Sequence, residues 1–181
     1  MIKISDALIA KIRAVKLAVF DVDGVMTDGA LHYSAEGEQV KIFNTLDGHG
    51  MKMLMGTGVD IAIISGRQSP ALVRRCKDLG ITQLFMAVED KGRVYAELLA
   101  SLRLQPQQVA SIGDDVVDLP ILLNCAFAVA VPAAPQFVRE RIDYVTEAHG
   151  GRGAVREFCE IIMAAQGTLD AALKKYLPSS I

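Results

Sequence analysis

The chain has little of what marks a secreted, disordered or membrane protein. It carries only three cysteines in 181 residues, Cys76, Cys125 and Cys159. They are far apart, odd in number and without paired metal-ligand spacing, so neither a disulfide framework nor a zinc centre is expected. They read as small buried hydrophobes in reducing surroundings. Prolines number 6 and apolar residues make up 51%, which excludes a low-complexity or disordered chain. Neither sign of charge is in excess, with 19 basic against 21 acidic residues and a formal net charge of −2. That balance carries no footprint for nucleic acid or an anionic membrane. Long apolar runs are missing too. The N-terminus, MIKISDALIAKIRAVK, scatters charges among its apolar positions and has no signal-peptide core. The stretch 121–135 is broken by Asn124 and Pro132, short of the roughly 20 apolar residues a bilayer span needs. The expectation is a soluble, cytoplasmic protein of one domain with a sizeable core.

Short apolar runs alternate with helix-period segments. The runs 16–20 (KLAVF), 59–64 (VDIAII), 83–86 (QLFM), 109–112 (VASI) and 126–131 (AFAVAV) read as buried strands, with 143–145 as a short addition. In 91–104, Val94, Tyr95, Leu98, Leu99 and Leu102 fall on one helical face; Val155, Phe158, Cys159, Ile162 and Met163 do so later. The fold class expected is α/β, a doubly wound parallel sheet covered on both sides. After the first strand the period is lost, and 30–34 and 39–43 read as a β-hairpin around a turn at 35–38. Such an insert lies at the carboxyl edge of the sheet, where open α/β sheets bind ligands. The domain is expected to span 1–166, with hairpin 30–43 and no large insertion, leaving 167–181 as a tail.

Four features sit at strand ends. Asp21-Val22-Asp23-Gly24 follows KLAVF and places two carboxylates where only a positive partner makes them affordable. Mg²⁺ suits such oxygens, whereas an EF-hand does not fit, because the glycine is misplaced and Val22, Val25 and Met26 are apolar. Asp114, Asp115 and Asp118 follow VASI and bring a second acidic group to the same edge. Ser65, in Ser65-Gly66-Arg67, offers a hydroxyl for an oxyanion, and Lys91 opens the helix after QLFMAVED. Alone, the serine is an ordinary turn signal and the lysine an ordinary surface residue.

In this order the four features resemble the haloacid dehalogenase superfamily of phosphohydrolases, over nearly the whole chain. The resemblance implies Asp21 as nucleophile, Asp23 as general acid and base, and Ser65 and Lys91 as phosphoryl-binding groups. It also implies Mg²⁺ held by Asp21, Asp23 and Asp114, with Asp115 and Asp118 ordering metal waters and Lys91. The chemistry agrees with those roles. A phosphate dianion repels a carboxylate, so positive charge must be gathered before attack. One carboxylate is consumed as nucleophile while another moves the proton.

Within the superfamily the chain is similar to its capless branch, the 3-deoxy-D-manno-octulosonate 8-phosphate phosphatase family. The residues that carry this are 19–29 (VFDVDGVMTDG), 43–50 (FNTLDGHG), 64–67 (ISGR), 113–120 (GDDVVDLP) and 148–157 (AHGGRGAVRE). The resemblance implies a role in making the lipopolysaccharide inner-core sugar, a small-molecule sugar acid phosphate as substrate, and homotetramers in which a neighbour closes the site. It implies substrate contacts from Asp23, Asn44, Thr45, Leu46, Asp47, Gly48, Lys52, Arg67, Arg75, Lys91 and Arg152. Many relatives have arginine where this chain has Leu46, so that contact is either missing or supplied by Lys52 or Arg152. Arg74 reads as a solvated helix residue. His32, His49 and His149 lack ligand spacing, and only His49 stands beside the substrate loop. Two other readings remain: a phosphatase of a nine-carbon sugar acid 9-phosphate, and a receiver-like phospho-acceptor domain. Asp23 argues against the second, because a lasting phospho-aspartate has no use for a water-activating neighbour.

Overall fold

Every residue of β1 (Leu17–Phe20) is buried, so both faces of this strand need cover. Ala18 and Phe20 point into one apolar layer and Leu17 and Val19 into another, as the two-residue period of a strand requires. The computed structural model describes residues 4–178. Its main sheet is parallel, in the order β5-β4-β1-β6-β7-β8, where β4 is Asp60–Ile64, β5 Gln83–Phe85, β6 Val109–Gly113, β7 Phe127–Ala130 and β8 Tyr144–Val145. The fold is the expected doubly wound α/β sandwich.

One layer is filled from α1 (Asp6–Ile12), α2 (Thr45–Met55), α3 (Pro70–Leu79) and α7 (Ala154–Ala165). Phe158 of α7 anchors it, with its ring 5.3 Å from Phe20 and 5.9 Å from Phe127. Cys76 and Cys159 are buried in this layer, and burial pushes the Cys76 thiol up to about 11. The other layer rests on α4 (Lys91–Leu102), which contributes Tyr95, Leu98 and Leu99, with Ile121 from the short α5 (Leu119–Leu122). The remaining short helices are α6 (Gln136–Arg139) and α8 (Leu169–Lys174).

The chain leaves β1 toward β4 and β5 on one side, then returns to build β6, β7 and β8 on the other. The strand order therefore reverses between β1 and β6, and the crevice above their carboxyl ends is where such sheets bind ligands.

Three local expectations change. The hairpin is β2 (His32–Ser34) paired with β3 (Gly37–Val40), so its turn is only Ala35-Glu36 and its second strand starts two residues before the expected 39. Gly37, at φ +112°, permits this tight return, and the Ser34 hydroxyl accepts from the Glu36 N–H at 3.1 Å. Residues 41–43 lie outside the strand, and Lys41 turns instead to Asp23. The N-terminal segment, for which the sequence pattern predicts no element, forms α1, capped by Ser5 accepting from the Leu8 N–H at 3.3 Å. The segment expected as a tail contains α8, with Ala172 buried against the core; positions 179–181 of it lie outside the described residues. Among the described residues no helix is long and apolar enough to cross a membrane.

Phe158→Ala removes the ring that joins Phe20 to Phe127 and should cost about 3–5 kcal/mol, read as a lowered midpoint in urea unfolding.

Candidate active site

β1 pairs with β6 up to its end, and the Asp21 N–H continues the ladder by donating to the Ile112 carbonyl at 3.1 Å. This fixes Asp21 at the crevice with a residue exposure of 8%. The turn beyond is held by Thr27, whose hydroxyl accepts from the Gly24 and Gly29 N–H groups at 3.3 and 3.2 Å. Gly24, at φ +93°, lies so close to the Asp114 carboxylate that a Cβ would sit 2.1 Å from its Oδ2. Only glycine lets the two loops meet there.

Lys91 comes from the opposite side of the crevice. The Asp90 side chain accepts from the Arg93 N–H at 2.9 Å, which caps α4 and makes Lys91 its first residue. Its buried Nζ lies 2.6 Å from Asp21 Oδ1 and 2.6 Å from Asp118 Oδ1. The second oxygen of Asp118 accepts from the N–H groups of Asp114 and Asp115, at 3.0 and 3.2 Å. Asp118 thus ties the lysine to the loop that presents Asp114.

The charges here do not balance. Asp21, Asp114 and Asp118 each place an oxygen within 4.8 Å of the others, against the single ammonium of Lys91 that touches two of them. Burial, then the neighbouring Asp118, raises the Asp21 carboxyl to about 6 despite Lys91. Burial and the adjacent Asp21, Asp118 and Asp115 raise Asp114 to about 8. Burial disfavours the Lys91 ammonium, yet the two carboxylates outweigh it and hold the lysine above its usual range. Excess negative charge on hard oxygen donors is the environment a divalent cation such as Mg²⁺ relieves. The group that forms contains Asp118 where the sequence suggested Asp23, because the Asp23 side chain turns to Lys41. Asp118 already bonds through both oxygens, which leaves Asp21 and Asp114 as the donors with capacity for a metal.

A cavity of about 240 Å³ brings together Asp21, Asp23, Arg67, Lys91, Asp114 and Asp115 from the expected set. Ser65 is buried beneath it, with its hydroxyl accepting from the Arg67 N–H at 3.3 Å. Arg67 donates to the Tyr33 hydroxyl of the hairpin and lies 5.7 Å from that ring. Sequence reasoning missed Lys41, Tyr33, Val88 and Glu89, the last two also lining the cavity. A lysine and a tyrosine in an irregular insert carry no spacing signal.

Other expected substrate residues lie elsewhere. Asn44 caps α2, accepting from the Leu46 N–H at 2.8 Å and donating to the Gly151 carbonyl at 3.3 Å. Asp47 is buried and caps α7, accepting from the Arg156 N–H at 2.9 Å and the Gly153 N–H at 3.4 Å. Arg75 lies over Gly48 and donates to the Asn44 carbonyl at 2.9 Å. These contacts fasten α2 to the glycine-rich loop before α7. That loop packs on the catalytic turn, since a Cβ on Gly150 would sit 1.7 Å from the Gly24 carbonyl oxygen. Asn44, Asp47, Gly48 and Arg75 make these packing contacts and do not line the 240 Å³ cavity. Thr45, Leu46 and Lys52 are exposed and do not line the cavity. Arg152 and His149 line a second cavity, of about 420 Å³, which meets the first at Asp114. His49 packs against Tyr176, ring centroids 5.1 Å apart.

A model of haloacid dehalogenase-like hydrolases matches residues 88–158, the span from the cavity wall at Val88 to Phe158. The 3-deoxy-D-manno-octulosonate 8-phosphate phosphatase of Yersinia pestis is 43% identical over 169 residues, covering 93% of this chain and 90% of its own. The chain belongs to the 3-deoxy-D-manno-octulosonate 8-phosphate phosphatase family. Two solved members share its fold. That of Moraxella catarrhalis, in complex with a magnesium ion, a phosphate ion and a KDO molecule, superposes with a TM-score of 0.91 at 37% identity, covering 94% of this chain and 98% of that one. The cobalt-bound form from Haemophilus influenzae gives 0.86 at 43% identity, covering 89% and 94%. Membership of this phosphatase family agrees with the acidic crevice described above.

Asp21 and Asp114 have folded-state pKa values above their unfolded ones, so the proton-bound form is the stabilising one. In metal-free protein their contribution should be full below about pH 4 and fade as pH rises through about 6 and about 8. Differential scanning calorimetry should therefore show Mg²⁺ raising Tm more at pH 8 than at pH 5. Asp47→Ala removes a helix cap and should cost about 1–2 kcal/mol in urea unfolding.

Proposed function

We propose that this protein is a Mg²⁺-dependent phosphatase that hydrolyses 3-deoxy-D-manno-octulosonate 8-phosphate, releasing phosphate and the sugar acid used in the lipopolysaccharide inner core. The observation that carries this reading is the Lys91 bridge between Asp21 and Asp118, with Asp114 and Asp23 on the same cavity. The named activity of its relatives and the KDO bound in one of them support the substrate.

Asp21 is the proposed nucleophile. Its oxygen attacks phosphorus in line, forming an aspartyl-phosphate and splitting one difficult displacement into two. Lys91 and Ser65 hold the phosphoryl oxygens. Asp23 gives its proton to the leaving alkoxide, then takes one from the water that hydrolyses the aspartyl-phosphate. Asp118 keeps Lys91 and the Asp114 loop in place, and Asp115 lies where it can order water. Asp21 and Asp114 would hold Mg²⁺, while the Asp23 side chain engages Lys41. Mg²⁺ supplies the positive charge that offsets repulsion between Asp21 and the phosphate dianion.

The substrate also bears a carboxylate, for which Arg67 and Arg152 are the proposed partners. Thr45, Leu46 and Lys52 would reach substrate only across a subunit boundary. Leu31, Tyr33, Val40 and Ile42 are 45–61% exposed on and around the hairpin, which supports the homotetramer with a neighbour closing each site. A cytoplasmic location follows from the same reading, because sugar phosphates are cytosolic intermediates.

Asp21→Asn should lower Mg²⁺-dependent phosphate release by roughly 10³-fold or more while the fold survives. The assay runs the octulosonate 8-phosphate beside a nine-carbon sugar acid 9-phosphate and hexose phosphates, with Mg²⁺ and with chelator. Preference for the nine-carbon ester, or equal rates on hexose phosphates, would overturn the substrate. Near-normal turnover by Asp21→Asn would overturn the nucleophile. Light scattering should give four copies per particle, and a fully active monomer would contradict the shared site.

A further inference from the structure

The hairpin touches the catalytic cavity through two side chains, one near each strand. Tyr33 of β2 takes the Arg67 guanidinium, and Lys41, just beyond β3, pairs with Asp23 Oδ1. The Lys41 side chain is only 4% exposed, and that of Asp23 is 22% exposed. All of β2 is exposed, so this burial is no by-product of an apolar hairpin packing on the domain. Desolvating an ammonium costs several kcal/mol, and a buried pair of this kind is a poor source of stability compared with an apolar contact. The pair acts directly on the Asp23 carboxyl, whose Oδ1 it engages.

We propose that Lys41 is a positioning residue for proton transfer through Asp23. This rests on the reading of Asp23 as general acid and base. Lys41 engages one carboxyl oxygen, so the proton is carried by the other, and the contact fixes which way the carboxyl group turns. When an Asp21 oxygen bonds to phosphorus, the P–O ester bond breaks and its electron pair stays on the leaving oxygen. That oxygen takes the Asp23 proton, and the negative charge left on Asp23 faces the Lys41 ammonium. In the second half, Asp23 accepts a proton from water as the water oxygen bonds to phosphorus. The P–O bond to Asp21 then breaks, with its pair returning to the aspartate. The hairpin therefore supplies part of the acid–base apparatus from within its own chain, and does not only meet a neighbour.

The test is a series of aryl phosphates, from phenyl to p-nitrophenyl, measured as kcat/KM in Mg²⁺ with the full-length protein. This parameter reports the steps up to the aspartyl-phosphate, and only the poorer leaving groups need a proton there. Asp23→Asn is the reference. It should lose about 10²-fold or more on phenyl phosphate and much less on p-nitrophenyl phosphate. Lys41→Met should steepen the dependence on leaving-group pKa in the same way, by at least about tenfold between the two ends. Lys41→Arg should recover most of that loss. The ratio between substrates does not depend on the folded fraction, so partial misfolding cannot imitate the result. An unchanged slope in Lys41→Met, whether rates fall equally or not at all, would overturn the proposal while leaving the Asp23 assignment standing. An unchanged slope in Asp23→Asn would overturn that assignment and the Lys41 proposal with it.

Discussion

The bridge from Lys91 to Asp21 and Asp118 is the contact on which the rest of the crevice depends. Asp21, Asp114 and Asp118 crowd within 4.8 Å at the end of two neighbouring strands, and without the ammonium their mutual repulsion in a buried setting would be prohibitive. Lys91 relieves part of it and leaves a deficit that a divalent cation can fill. The fold delivers the lysine by making it the first residue of α4, so that its side chain projects from a rigid helix start. Burial, together with the neighbouring carboxylates, raises the carboxyl values of Asp21 and Asp114.

Around this centre the structure spends many polar contacts on holding loops together. Asp47 reaches across 109 positions of sequence to the Arg156 N–H, and Asn44 reaches Gly151. The glycine-rich loop so fastened presses Gly150 onto Gly24, which in turn leaves room for the Asp114 carboxylate. A chain of backbone fits thus runs from α2 through the start of α7 to the catalytic turn. Asn44 and Asp47 thus bond to the backbone that frames the site.

The hairpin takes the place of a cap and works on a smaller scale. It lines little of the cavity, yet Tyr33 and the adjoining Lys41 hold Arg67 and Asp23. Its outward apolar side chains suit contact with another copy.

Much of this was legible from the sequence alone. The parallel sheet, the position of Asp21 and Asp114 at its carboxyl edge, and the helix opening at Lys91 followed from apolar runs ending in acids. Those signals are local: a strand's burial and its end are written in consecutive residues. The contacts of Asp47, Arg75 and Lys41 were not legible, nor was the choice of Asp118 over Asp23 in the carboxylate cluster. Each depends on which way a side chain turns toward a partner 18 to 109 residues away, as Lys91 does toward Asp21 over 70 positions. Side-chain direction is decided by packing and by competition among neighbouring charges, which exist only once the chain has folded.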